Sequence, residues 1–295
     1  MTILQAIVLG LVQGLTEFIP VSSTAHLVFA ARVLNLYGGV DKTLQAEQTT
    51  ATIAVIQLGT LLAVFVYFAR DIAKILRAFV GDHWALVKGR PVPAAAGSKL
   101  SPDAWLGWLV IIGSIPVGTV GLVLKKQIEG PFTKNLWVIA TMMIVVGVLL
   151  AIAEAVGKRD HDMSQLRIRD ALAVGFSQVL ALIPGSSRSG STIMGGLFSG
   201  LTRETAARFS FLLSIPAIAA SGLLELREAV HKLPDGSYGA LIVATIVSGA
   251  VGYASIWFLL RFLRTHSTGI FIVYRVIVGA LILAALAAGY VSASI

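Results

Sequence analysis

The sequence has no cysteine and little charge, and each shortage removes a class of protein. Without cysteine there is no disulfide framework, no thiol nucleophile and no thiolate metal site. Charged residues make up 13% of the chain, against about 25% in an ordinary soluble domain. With 56% of its 295 residues hydrophobic, a single soluble core would leave much apolar surface in water, so a bilayer must take the remainder. The net charge of +8 does not read as a nucleic-acid stripe, because the 23 Lys and Arg gather in short connectors between apolar runs. The N-terminal segment MTILQAIVLGLVQGLTEF lacks a basic n-region and a small-residue cleavage site, and is expected to stay as structure.

Eight apolar stretches cover 2–31, 49–69, 104–124, 135–156, 170–200, 205–226, 239–260 and 269–292. Six of them have the length, about 20 residues, that a helix needs to cross the hydrocarbon. The first and fifth are longer and are broken near their middles by Ile19-Pro20-Val21-Ser22-Ser23-Thr24 and Ile183-Pro184-Gly185-Ser186-Ser187-Arg188. Irregular backbone at membrane depth persists only where protein or a wet cavity satisfies it, so each is expected to be a re-entrant helix–break–helix. Ile-Pro-x-Ser-Ser occurs in both breaks, 164 residues apart, with Gln13 and Gln178 a few residues upstream. The expectation is an all-α polytopic membrane protein built from two inverted-topology repeats, each a re-entrant helix hairpin plus three transmembrane helices. The first repeat is 1–156 (hairpin 2–31, spans 49–69, 104–124 and 135–156). The second is 157–295 (hairpin 170–200, spans 205–226, 239–260 and 269–292). An odd number of spans per repeat is what inverts the second half.

Charge gives the orientation. The connectors at 70–103, 157–169, 201–204 and 261–268 hold 13 Lys and Arg, whereas those at 32–48, 125–134 and 227–238 hold 7. The first group is expected in the cytoplasm, with both termini outside. Lys125, Lys126 and Lys134 run against the bias. The 70–103 connector, with Pro91, Pro93 and Ala94-Ala95-Ala96-Gly97, reads as a flexible cytoplasmic loop.

The chemistry collects at the breaks. Glu17 follows Gln13 by four residues, on the same helical face, and an ionisable group at this depth normally faces an interior cavity. If a helix restarts after Pro20 with Ser22 or Ser23 as its N-cap, Ser23 and His26 share a face at a turn whose free N–H groups favour an anion. A hydroxyl beside an imidazole is also the minimal activated nucleophile. In the second break, Arg188 has the planar fork that suits phosphate oxygens. Ser186, Ser187, Ser189, Ser191 and Thr192 surround it with donors, while Gly185 and Gly190 allow close backbone approach. The competing reading of Arg188 is a structural pair with a buried carboxylate. Arg208 and Arg275 either line the site or pair structurally. Two half-helix N-termini, an arginine and many hydroxyls ask for an oxyanion, and a carboxylate with a histidine asks for proton transfer or metal binding. Phosphoryl transfer fits that set better than carriage of a neutral solute.

At these residues a resemblance emerges. Gln13-Gly14-Leu15-Thr16-Glu17-Phe18-Ile19-Pro20-Val21-Ser22-Ser23-Thr24-Ala25-His26 resembles the first signature of the undecaprenyl-diphosphate phosphatase family, the bacitracin-resistance proteins. Pro184-Gly185-Ser186-Ser187-Arg188-Ser189-Gly190-Ser191-Thr192 resembles the second, and Ile56-Gln57-Leu58-Gly59 and Tyr274-Arg275 also match. The resemblance implies a hydrolase of the bacterial cytoplasmic (inner) membrane, with its site opening to the periplasmic face. That enzyme removes the terminal phosphate of undecaprenyl diphosphate, recycling the carrier for peptidoglycan synthesis and conferring bacitracin resistance. It also implies dependence on Mg²⁺ or Ca²⁺. Many members have two glutamates in the first signature, and here the first of them is Gln13, so Glu17 is the one candidate metal ligand in it.

The mechanism expected from these residues has Ser23 attack the terminal phosphorus, with His26 as general base. Glu17 orients His26 or binds the metal. Arg188 stabilises transition-state charge. Gln13, Ser22, Thr24, Gly185, Ser186, Ser187, Ser189 and Thr192 hold the substrate. His26 or an activated water as nucleophile stays open. The partners expected are a polyprenyl diphosphate and membrane lipid, with no nucleic acid; a homodimer is compatible with the packing glycines, which do not decide it. The alternative from another class is a polyprenyl-phosphate transporter or flippase, since inverted repeats with broken helices are a transporter architecture.

Overall fold

Two prolines set the two breaks. In the computed structural model, helix α1 (Ile3–Phe18) opens on a capping box between Thr2 and Gln5. It stops where Ile19, ahead of Pro20, turns extended at φ -66° and ψ 134°. The chain turns back at Ser22, whose φ is 76°, and α2 (Ser23–Val33) begins. The second break repeats the device: α8 (Ile168–Val179) tightens into a 3₁₀ turn, Leu180–Leu182, and Ile183 is extended ahead of Pro184. Gly185 and Ser187 then take φ of 94° and 66°, and α9 (Arg188–Phe198) begins. The left-handed region suits glycine, so a serine there marks a backbone held by its surroundings. The second break is one residue longer, so the residues that open the two helices are Ser23 and Arg188.

The structure describes residues 1–95, 98–128, 135–233 and 237–293, with the side chains of 42, 43, 126, 220, 221 and 223–232 outside the description. The connectors expected at 125–134 and 227–238, the Ala96-Gly97 pair and the end of the 205–226 span fall partly outside it. The other helices are α3 (Lys42–Tyr67), α4 (Ala69–Val87), α5 (Pro102–Val123), α6 (Lys125–Ile128), α7 (Leu136–Val156), α10 (Arg203–Lys232), α11 (Tyr238–Leu263) and α12 (Gly269–Ala287). Among the described residues, five of these are long and apolar enough to cross a bilayer: α5, α7, α11, α12 and α3 from Leu44. The protein is therefore an all-helical, multi-pass membrane protein. One reading is corrected: the 70–103 connector is not simply a loop, because its first half is α4, a helix that packs against α5.

Packing sets each hairpin against a long helix from the other half of the chain. Helix α1 lies along α11 and α8 lies along α5, while α3 pairs with α10 and α7 with α12. Gly10 on α1 and Gly175 on α8 let these crossings close to backbone contact. A Cβ on Gly10 would stand 2.6 Å from the Ala244 carbonyl oxygen, and one on Gly175 would strike the Gly113 carbonyl. Around the hairpin ends Phe18, Phe68, Phe209 and Phe211 form the largest apolar cluster with Leu109, Leu150 and Ile193. At the end carrying the basic connectors, ion pairs stitch the helices together: Asp71 with Arg208 at 2.8 Å, Glu204 with Arg264 at 2.8 Å, and Glu154 with Arg159 and Arg203.

Candidate active site

The last turn of α1, the first turns of α2 and α9, and the middle of α12 converge. Glu17, 7% exposed, is the hub. Its Oε1 accepts from Arg188 Nη2 at 2.9 Å, across 171 residues of sequence. Its Oε2 accepts from Ser23 Oγ at 2.7 Å and from Gln13 Nε2 at 3.1 Å, and Gln13 also donates to Thr60 Oγ1 at 3.3 Å. One carboxylate thus joins the residues that open α2 and α9. A charged pair this buried needs such completion by further donors.

This geometry corrects the expected proton path. Ser23 hydrogen-bonds Glu17 rather than His26, and Glu17 does not orient His26. Ser22 is the N-cap of α2 by backbone alone, without a side-chain cap bond. His26 turns the other way: its Nδ1 is 2.7 Å from the Ser22 carbonyl and its Nε2 2.6 Å from the Tyr274 hydroxyl. A carbonyl only accepts, so Nδ1 carries a proton and Nε2 is the nitrogen that meets Tyr274. The two rings are stacked, with centroids 5.6 Å apart. With Thr16 they are the polar lining of a groove of about 540 Å³ between α1, α2 and α12, whose other walls are apolar side chains such as Val12, Leu15, Phe29, Val278 and Leu281.

Arg188 uses a single nitrogen on Glu17; its Nε and Nη1 are buried without a partner among the described residues. So are the hydroxyls of Ser22, Ser186 and Ser191, and the Oε1 of Gln13. Buried polar groups are normally bonded, so these unpartnered atoms of the two breaks are the candidates to hold a ligand. Other expected ligands are committed elsewhere. Ser189 Oγ donates to the Glu17 and Ile19 carbonyls, both at 3.3 Å, and so ties α9 to the end of α1. Thr192 Oγ1 bonds the Arg188 carbonyl at 2.8 Å and Ser210 Oγ at 2.6 Å. Ser187 Oγ caps α9 by accepting from Gly190 N at 3.1 Å. Thr24 is exposed. The closing turn at Gly185 passes so near Ile139 that no side chain would fit there.

Arg275 is wholly buried, and no carboxylate pairs with it among the described residues. Its guanidinium donates only to main-chain carbonyls: Nε to Met143 at 3.1 Å, Nη1 to Pro20 at 3.2 Å, and Nη2 to Gly185 and Ser186 at 3.0 and 2.9 Å. Helix α12 thereby holds one carbonyl of the first break and two of the second. Arg208, the other intramembrane arginine considered, is used outside the site, on Asp71.

Glu17 does not fit a resident metal. Mg²⁺ and Ca²⁺ take about six or more oxygen ligands, and here a single carboxylate has both oxygens already taken by Gln13, Ser23 and Arg188. Among the described residues no three His, Asp or Glu side chains cluster as a cation site.

A family profile described as Bacitracin resistance protein BacA matches residues 6–281. A protein of Syntrophobacter fumaroxidans named undecaprenyl-diphosphatase is 51% identical over 283 residues, covering 96% of this chain and 97% of its own. One of the same name from Mycolicibacterium gilvum is 45% identical over 296 residues, covering 99% and 100%.

Proposed function

The chain belongs to the bacitracin resistance protein BacA family, and from that premise we propose that it is an undecaprenyl-diphosphatase, hydrolysing undecaprenyl diphosphate to undecaprenyl phosphate and inorganic phosphate. The observation that carries the reading is the Ser23–Glu17–Arg188 chain, which joins a hydroxyl, a carboxylate and a guanidinium from two separate breaks. The terminal phosphate enters between the helix openings, where Arg188 Nε and Nη1 and the Ser22, Ser186 and Ser191 hydroxyls lack partners among the described residues. The first isoprene units lie in the apolar groove, past His26 and Tyr274.

Ser23 Oγ forms a bond to the terminal phosphorus as the bridging P–O bond breaks. Its proton passes to Glu17, and undecaprenyl phosphate leaves with the electron pair. Glu17 hands that proton to the leaving phosphate; water then attacks the phosphoserine and gives its proton to Glu17 as the P–Oγ bond breaks, and Glu17 passes that proton to Ser23 Oγ, restoring the hydroxyl and the carboxylate. Arg188 and the N–H groups opening α2 and α9 stabilise the charge that builds on the transferring oxygens. The Mg²⁺ or Ca²⁺ implied by the resemblance would arrive on the diphosphate, and no step above depends on it.

The inverted-repeat architecture is part of the same reading. Support comes from the matched breaks, from Gly10 and Gly175 standing three residues before Gln13 and Gln178, and from paired crossings, α1 on α11 against α8 on α5. The charge bias supports an orientation with both termini outside; the inner membrane and a site mouth on the outer face are what the family resemblance implies.

Purified protein in detergent should release inorganic phosphate from a polyprenyl diphosphate with no second compartment present. Glu17→Gln, which keeps the side chain's shape and removes its basicity, should slow release by about 10²–10⁴-fold, while Thr24→Ala stays near wild type. Release unaffected by Glu17→Gln would remove Glu17 from the proton path.

A further inference from the structure

Helix α4 carries charge that the reaction does not use. One face packs on α5: Ile75 and Phe79 close over Gly107, where an added Cβ would lie 3.1 Å from each, and Trp108 Nε1 donates to His83 Nε2 at 3.1 Å. Both acidic residues of the helix are committed inward. Asp71 pairs with Arg208 at 2.8 Å, and Asp82 Oδ2 accepts from Ser101 N at 2.7 Å. Two stripes are left outside. Leu76, Val80, Trp84 and Val87 recur at helical spacing and are 60%, 69%, 61% and 82% exposed. Arg70, Lys74 and Arg77 form an exposed row about a quarter turn away, extended past the helix end by Lys88 and Arg90. Lys88 Nζ lies over the Trp84 ring, 4.6 Å from its centroid. Among the described residues no carboxylate pairs with Lys74 or Arg77.

An apolar stripe beside a basic row, with the acids turned inward, is what a helix at the headgroup–acyl boundary of an acidic leaflet requires. The lipid is within reach: α4 follows the apolar span that ends at Tyr67, with only Phe68 between, and packs on α5, the next helix of spanning length. We propose that α4 is a binding surface for anionic phospholipid, with Lys74 and Arg77 on the headgroup phosphate and Leu76, Val80 and Trp84 among the acyl chains. Charge complementarity selects this occupant over zwitterionic lipid. The assignment stands apart from the catalytic reading.

Trp84 is a built-in reporter. Full-length protein in nanodiscs of phosphatidylcholine would receive, at equal mole fraction, brominated phosphatidylglycerol or brominated phosphatidylcholine. Its fluorescence would be read against Trp84→Phe, which isolates the Trp84 signal from the other tryptophans. Brominated phosphatidylglycerol should quench Trp84 more strongly, and added salt should shrink the difference. Lys74→Gln with Arg77→Gln should reduce the preference by about 25-fold, at about fivefold per cation. Phosphate release by that variant in phosphatidylcholine discs should match wild type, which shows that it is folded. Equal quenching by the two lipids would overturn the proposal, since α4 would then touch lipid without choosing its charge. Absent quenching by both would overturn it too, pointing to a protein partner over this face.

Discussion

Arg188→Lys is expected to lower kcat for polyprenyl diphosphate hydrolysis by about 10²–10³-fold, although the positive charge is kept. The reason is the division of labour on one guanidinium. Nη2 holds Glu17 Oε1 at 2.9 Å, while Nε and Nη1 are buried without partners among the described residues and are left for phosphate in the proposed reading. A lysine presents one ammonium group, which can satisfy the carboxylate or the phosphate with correct geometry but not both. Steady-state phosphate release measures the loss. A lysine variant at wild-type rate would mean that Arg188 acts only as a counter-ion to Glu17, the structural role weighed for it from sequence.

Arg275→Met is expected to lower kcat by about 10²-fold without touching the substrate, because a small misplacement of reacting groups has an effect of that size. Arg275 is a positioning residue in this account. It draws Pro20 O of the first break and Gly185 O and Ser186 O of the second onto one guanidinium, and so fixes the distance between the helix that opens with Ser23 and the one that opens with Arg188. Removing it leaves those carbonyls without their donor. A purely structural arginine would give the same loss of rate through misfolding, so the discriminating readout is a double-mutant cycle. If Arg275 acts through the second break, Arg188→Ala costs about 10³-fold in the wild type and roughly tenfold in the Arg275→Met background. Additive losses, with an unchanged unfolding temperature, would deny the coupling.

Much of this architecture was legible in the sequence, and the misses have physical causes. Pro20 and Pro184 announce both breaks, because a proline forces the residue before it out of the helix, and five of the six expected spans are helices of spanning length and composition. Glu17 and Arg188 stood out as charges inside apolar runs. The error lay in the partner of Ser23. Helical spacing puts Ser23 and His26 on one face, yet the φ of 76° at Ser22 opens α2 so that the Ser23 hydroxyl points back to Glu17, six residues earlier. Nothing in a Ser-Ser pair signals a left-handed serine. The Tyr274 partner of His26 lies 248 residues away, beyond any spacing argument. Helix α4 was hidden because mean hydropathy averages away an amphipathic pattern in a charged stretch, where period alone would have shown it. The extra residue in the second break made the repeated Ile-Pro-x-Ser-Ser look in register when the two helix starts are offset by one.

The measurement that tests the central claim most directly is rapid acid quench of the wild type turning over polyprenyl diphosphate labelled in its terminal phosphate, followed by peptide mapping. The account predicts label on the peptide that contains Ser23, an acid-stable phosphoserine. It also predicts neither label nor turnover in Ser23→Ala. Label recovered on His26 under alkaline quench, or undiminished phosphate release by Ser23→Ala, would contradict it.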